Sequence, residues 1–143
     1  MSHPTRILVV TDTSEGAPEL VTAIAARAND DVRFRLVVLN PARAEVHLLH
    51  PERRDKAREA EKTLAHTLER LEEVIGAHRI VGSVSVRHDP MDAVEETLFA
   101  EPVDEIVLHV REHALARRLH QDLPHRLAHY GIPIQTVDHA LVH

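Results

Sequence analysis

The chain has 143 residues, of which 43% are hydrophobic and 2% aromatic, so it is long enough for one aliphatic core and too short for two domains. The formal net charge of −6 and the scarcity of aromatic residues argue against nucleic acid as a partner, because basic patches interleaved with aromatics are missing. The sequence contains no cysteine, which excludes disulfides, thiolate zinc sites and thiol nucleophiles.

The first half of the chain predicts two strands and two helices. Residues 6–11 and residues 34–40 are short apolar runs rich in β-branched side chains, which is typical of strands buried on both faces of a parallel sheet. Between them, apolar positions from 20 to 28 recur at helical spacing. Residues 52–75 carry apolar side chains three and four apart with charged residues on the other face, so they predict a long helix that ends at Gly76.

The second half continues the same alternation. Residues 80–87 alternate apolar and small or polar side chains, which predicts a strand near a sheet edge. A helix is expected to begin at Pro90, since proline suits the first helical position. Residues 104–110 predict the fourth strand. A broken helix that ends at Gly131 then leads to a fifth strand over residues 132–137.

This order of elements predicts an α/β protein. Five parallel strands would form one sheet with helices on both faces, which is a three-layer α/β/α sandwich. We expect residues 1–143 to form a single domain. In such a sheet, ligands bind beyond the carboxyl ends of the strands where the chain order reverses, and here that point falls between the first and fourth strands.

Polar side chains follow both of these strands. The candidate ligand-binding residues are Asp12, Thr13 and Ser14 after the first strand, and His109 and Arg111 at the end of the fourth. An alternative role for Asp12 and Ser14 is to cap the following helix or to form the turn. No neighbouring base is identifiable that would activate Ser14 as a nucleophile.

Two further arginines suit an anion. Arg117 and Arg118 could hold one by charge-assisted hydrogen bonds, or they could form a solvated basic turn paired with Glu112 or Asp122. Residues 111–129 contain four Arg and four His against two acids. This local basic excess would suit a small anionic ligand or an acidic protein partner.

Two pairs of histidines have a spacing that could suit a metal ion. His125 and His129 are four residues apart on the predicted last helix, and His109 and His113 are four apart across a strand end. Spacing fixes no third ligand for either pair. With thirteen histidines in the chain, solvent exposure is the simpler interpretation, and we predict no metal site.

Four segments match, in order and spacing, the pattern of a known family. They are ILVVTDTSEGAPEL at residues 7–20, HDPMDAV at 88–94, VDEIVL at 103–108 and GIPI at 131–134. With these segments the chain resembles the universal stress protein family over nearly all its length. The resemblance implies a Rossmann-like sheet of five parallel strands, of the adenine nucleotide alpha hydrolase-like type. It also implies a homodimer formed through the last strand.

The ATP-binding members of that family carry two glycines three apart after the fourth strand, then nine residues, then Gly-Ser or Gly-Thr. Residues 110–122 contain no glycine, and Gln121 and Asp122 stand where the last pair would open the helix. A carboxylate at that helix start would repel a phosphate. The resemblance therefore implies the subclass that does not bind ATP, with Asp12 as the one matched ligand position and no cofactor expected.

Two functional hypotheses follow. The first is a non-catalytic regulatory or stress-response homodimer, because no nucleophile, base and orienting group can be assembled from the sequence. The second is a nucleotide-binding protein, with weak hydrolysis conceivable, in which Asp12, Arg117 and Arg118 replace the glycine motif. No apolar run approaches the roughly 18 residues of a membrane span and the amino terminus has no signal-peptide core, so we expect a cytoplasmic protein without membrane contact.

Overall fold

The computed structural model describes residues 4–12, 17–29, 31–39, 52–85, 90–110 and 123–137. The strands are β1 (Thr5–Thr11), β2 (Val32–Leu39), β3 (Ile80–Ser85), β4 (Glu105–His109) and β5 (Ile134–Thr136). The α-helices are α1 (Ala17–Arg27), α2 (Glu52–Ile75), α3 (Pro90–Ala100) and α4 (Leu123–Leu127). Short 3₁₀ helices cover Ala77–Arg79 and Ala128–Tyr130.

The five strands form one parallel sheet in the order β3-β2-β1-β4-β5. The chain order reverses at β1, which pairs with β2 on one side and with β4 on the other. The predicted Rossmann-like α/β fold, the predicted switch point and the edge position of β3 are therefore confirmed. The assignment of residues 1–143 to one domain stays a prediction.

Helices cover both faces of the sheet, so the core has two parts. Toward α1 and α2 the buried cluster contains Ile7, Val9, Leu20, Ile24, Val32, Phe34, Leu36, Val38, Ala60, Leu71, Ile75, Ile80 and Val107. Toward α3 and α4 it contains Leu8, Val10, Val37, Leu39, Met91, Ala93, Val94, Ile106, Leu108, Leu123 and Leu127. Residues of β1 and β2 alternate between the two clusters, which explains their continuous apolar runs. Each buried Leu, Ile or Val stabilises the fold by about 1.5 to 3 kcal/mol.

The predicted end of the last helix at Gly131 is confirmed. Leu123–Leu127 is followed by a 3₁₀ turn, and Gly131 ends it in the left-handed region at φ 72°, where a side chain would be strained. The predicted first piece of this helix, residues 115–120, lies outside the described residues. The fifth strand begins at Ile134 rather than at residue 132, because Pro133 has no N–H to donate.

Candidate functional site

The carboxyl ends of β1 and β4 meet at the switch point. Thr11 and His109 are the last residues of these strands and are direct register partners. Their side chains are joined by a hydrogen bond of 2.8 Å between Thr11 Oγ1 and His109 Nδ1. Both residues are fully buried. The polar pair thus closes the end of the apolar core on the α1 and α2 side of the sheet.

Asp12 extends beyond this buried pair. It follows Thr11 directly and is half-buried, so it lies at the carboxyl end of β1. Asp12 thus places a negative charge next to the hydroxyl of Thr11 and the imidazole of His109. Such an edge disfavours a phosphate unless cations from elsewhere compensate.

Thr13, Ser14, Arg111, Arg117 and Arg118 lie outside the described residues, and their roles stay predictions. Of the predicted set, the structure brings Asp12 and His109 to the same edge of the sheet. The contact of His109 with Thr11 was not predicted, because 98 positions separate the two residues and the sequence does not reveal strand register.

The described residues contain no group of three or more His, Cys, Asp or Glu side chains placed to hold a metal ion. His125 and His129 are both exposed, and His113 lies outside the described residues. Within the same described ranges, no helix has the length and apolar character needed to cross a bilayer.

A groove of about 530 Å³ lies between α1 and β5. Pro18, Glu19 and Thr22 line it from the helix, and Gln135 and Thr136 line it from the strand. β5 lies at one edge of the sheet, and within the described part of the chain it pairs with β4 alone.

The strand β5 is held in place by a polar link to α1 and β4. Arg27 Nε donates a hydrogen bond of 2.6 Å to Gln135 Oε1, and the same guanidinium forms an ion pair with Glu105. This link fixes a three-residue strand that has little apolar burial of its own.

The comparisons with known proteins identify the fold. No protein-family model and no curated protein matches the sequence. Among solved structures, the chain is similar to the universal stress protein UspA from Lactobacillus plantarum, with a TM-score of 0.65, 18% identity, and coverage of 98% of this chain and 100% of that one. It is also similar to a universal stress protein from Archaeoglobus fulgidus, with a TM-score of 0.64, 18% identity and 94% coverage of both chains. The chain has the universal stress protein fold.

A third structure of this fold is a universal stress protein in complex with cAMP, with a TM-score of 0.63, 18% identity, and coverage of 97% of this chain and 100% of that one. The resemblance seen in four sequence segments is thus confirmed at the level of the universal stress protein fold. Identities of 18% leave the ligand of this chain to be argued from its own residues.

Proposed function

We propose that the protein is a non-catalytic regulatory or stress-response protein of the universal stress type, that it acts as a homodimer and that it does not use ATP. The observation that carries the proposal is the match to universal stress proteins over nearly the full length of both chains. A fold alone is compatible with several functions. Two finer parts of the proposal, that the protein is not a catalyst and that it does not use ATP, are argued from the residues at the switch point.

The Thr11 and His109 pair supports a role without catalysis. A hydroxyl 2.8 Å from an imidazole nitrogen has the spacing of a nucleophile and its base. Both residues are fully buried, however, so a substrate would have no access to either group. The pair is better explained as a satisfied hydrogen bond that closes the core between two strand ends.

The missing glycines argue against ATP. Residues 110–122 contain no glycine to bring backbone amides close to a triphosphate, and Asp122 stands where Gly-Ser or Gly-Thr would open the last helix in the ATP-binding members. A small ligand or a protein partner at the switch point fits the proposal better than ATP with magnesium.

Thermal denaturation with and without magnesium and ATP tests this part of the proposal. A ligand present at about a hundred times its dissociation constant stabilises the folded state by roughly 2.7 kcal/mol, which for a domain of this size shifts Tm by several degrees. We expect no shift at millimolar ATP. A saturable shift would contradict the proposal.

The homodimer is proposed to form through the outer edge of β5. A strand that pairs on one side offers its other edge to a second copy, and the groove beside α1 leaves room for side chains of that copy. We expect sedimentation equilibrium to show a dimer at micromolar concentration. Thr136→Lys on β5 should weaken the dimer, and Ser83→Lys on the opposite edge strand should not, since both positions are exposed. A monomeric wild type would contradict the proposal.

A second candidate function is nucleotide binding with Asp12, Arg117 and Arg118 in place of the glycine motif. The observation that favours it is the cAMP complex of a protein with the same fold. Replacing both arginines with alanine should then abolish any thermal shift produced by ATP or cAMP. A shift that survives this replacement would remove the two arginines from the site.

A further inference from the structure

The groove between α1 and β5 has one charged side chain among its described lining residues, that of Glu19. Its volume of about 530 Å³ lies within the roughly 300 to 1,000 Å³ that is usual for small-molecule sites. Glu19 belongs to the first turn of α1, and Gln135 and Val137 line the groove on the side of the sheet. The groove therefore presents a single negative charge to an occupant.

The Glu19 carboxylate lacks a partner within the described part of the chain. The residue as a whole is half-buried, but its Oε2 atom is fully buried and accepts no hydrogen bond from any described residue. A carboxylate in the first turn interacts favourably with the helix dipole, yet the dipole supplies no hydrogen bond to a buried oxygen. Burying a charged group without a partner is destabilising, and a cation in the groove would offset that effect.

The positive charge at the other end of α1 is already engaged. Arg27 lies in the last turn of the helix, about 12 Å along the axis from Glu19. Its guanidinium donates a hydrogen bond of 2.6 Å to Gln135 Oε1 and forms an ion pair with Glu105. Arg27 is therefore not the cation that neutralises Glu19.

The other described groups of the groove suit a donor that carries a short aliphatic chain. The hydroxyl of Thr22 donates to the carbonyl oxygen of Pro18 at 2.9 Å, so its proton is already used and its oxygen can accept a hydrogen bond from a ligand. Pro18, Ala23 and Val137 contribute apolar surface. The polar atoms that Glu19 and Thr22 offer to a ligand are thus acceptors, next to apolar side chains.

We propose that this groove binds a small organic cation, namely an ammonium group on a short aliphatic chain. The ammonium group has three N–H donors and no acceptor, and it would form charge-assisted hydrogen bonds with Glu19 and Thr22. The chain would lie on Pro18, Ala23 and Val137, where it is removed from water. A single carboxylate does not supply the six or more oxygen ligands that calcium takes, so an organic cation fits better than a metal ion. The site goes beyond the function proposed above and does not require the dimer.

NMR titration of the labelled protein with n-pentylamine at low ionic strength tests the proposal, since salt screens charges near the surface. We expect saturable shifts in the signals of Glu19, Thr22, Ala23 and Gln135. Glu19→Gln keeps the shape of the side chain and removes its charge, and it should weaken binding about tenfold. The matched control Glu73→Gln removes the same charge from an exposed position of α2 and should bind like the wild type. Equal weakening in both variants, or no saturable shift in the wild type, would overturn the proposal.

Two further probes separate the contributions of charge and chain. n-Pentanol has the same chain without the charge, and methylammonium has the charge without the chain, so both should bind several-fold more weakly than n-pentylamine. Either probe binding as tightly as n-pentylamine would contradict the proposed recognition. Sedimentation of the same samples keeps this result apart from the dimer, because a monomer that binds n-pentylamine through Glu19 would contradict the dimer and support this site.

Discussion

Two buried threonines differ in whether their hydroxyl groups have a hydrogen-bond partner among the described residues. The hydroxyl of Thr11 at the end of β1 forms a hydrogen bond with His109 at the end of β4. Both side chains are buried. Thr67 on α2 is 1% exposed, and its Oγ1 has no hydrogen-bond partner among the described residues. A buried hydroxyl is tolerated at low cost when it is paired and is destabilising when it is not.

We predict that Thr67→Val stabilises the protein by about 1 kcal/mol, because it replaces an unpaired hydroxyl with a methyl group of similar shape. For a chain of this size the gain corresponds to about 3 °C in Tm. Thr97→Val is the matched control, since the hydroxyl of Thr97 donates to the carbonyl oxygen of Ala93 at 3.2 Å and its loss should bring no gain. Calorimetric melting of both variants checks the prediction, and equal shifts would contradict it.

Removing the other hydroxyl should have the reverse effect. Thr11→Val deprives the fully buried His109 of its hydrogen bond at Nδ1, and we expect a loss of about 1 to 3 kcal/mol in the free energy of unfolding. Thr11→Ser keeps the hydroxyl and should recover most of that loss. Urea denaturation of the two variants measures the difference. A valine variant as stable as the serine variant would show that the bond contributes little.

At the scale of elements, the long helix α2 is fitted closely against the edge strand β3. A Cβ atom added at Gly82 would lie 2.7 Å from Leu64 Cδ1 and 3.5 Å from the methyl groups of Leu68. Real Cβ atoms do not approach a carbon to 2.7 Å, so a side chain at this position must displace the helix or the leucine. A side chain at position 82 therefore requires at least the Leu64 side chain to move.

We expect Gly82→Val to destabilise the protein by about 1 to 3 kcal/mol through overpacking. Adding Leu64→Ala should reduce that cost, so that the double variant is more stable than the sum of the two single changes predicts. Ser83→Val, at the next and exposed position of β3, should change stability by less than about 0.5 kcal/mol. Strictly additive effects at positions 82 and 64 would contradict the packing argument.

The 3₁₀ turn that follows α4 forms a polar contact with α3. Tyr130 donates a hydrogen bond to Glu95 Oε2. This bond to Glu95 raises the pKa of Tyr130 above its ordinary value of 10.0, with smaller contributions from burial and from the Glu95 charge. The folded state therefore holds the phenol proton more strongly than the unfolded state does. The stabilisation is present below pH 10 and is lost as the pH rises through the raised pKa.

Because the chain has one tyrosine and no tryptophan, the near-ultraviolet absorbance of tyrosinate reports this group alone. We predict a titration midpoint above 10.0 in the native protein and a lower midpoint for Glu95→Ala. Glu96→Ala, at an adjacent exposed position, should leave the midpoint unchanged. Identical midpoints for the wild type and the Glu95 variant would show that the contact is absent in solution.

The elements themselves were predictable from local periodicity, and their contacts were not. The bounds of α2 at residues 52 and 75 and the start of α3 at Pro90 agree with the sequence analysis, because amphipathic spacing and proline chemistry are local signals. The contact of Thr11 with His109 depends on strand register, and that of Gly82 with Leu64 depends on how close α2 lies to the sheet. No local sequence pattern encodes either property. The predicted start of β5 was wrong by two residues, because the effect of Pro133 on strand pairing depends on how β5 lies against β4.

At the scale of the whole molecule, the two ends of the sheet differ in chemistry. The carboxyl end at the switch point presents Asp12 beside a buried hydroxyl and imidazole, and the amino end presents Arg6, Arg33 and Arg35 on one face. The switch point could be located from the order of strands and helices alone. The pairing of Arg6 with Arg33 could not, because it depends on the register of β1 and β2.

Native mass spectrometry of the protein purified from its own host tests the central claim most directly, since it reports subunit number and bound nucleotide together. We predict the mass of two chains without an ATP or ADP adduct. A monomer, or a species that carries a stoichiometric adenine nucleotide, would contradict it.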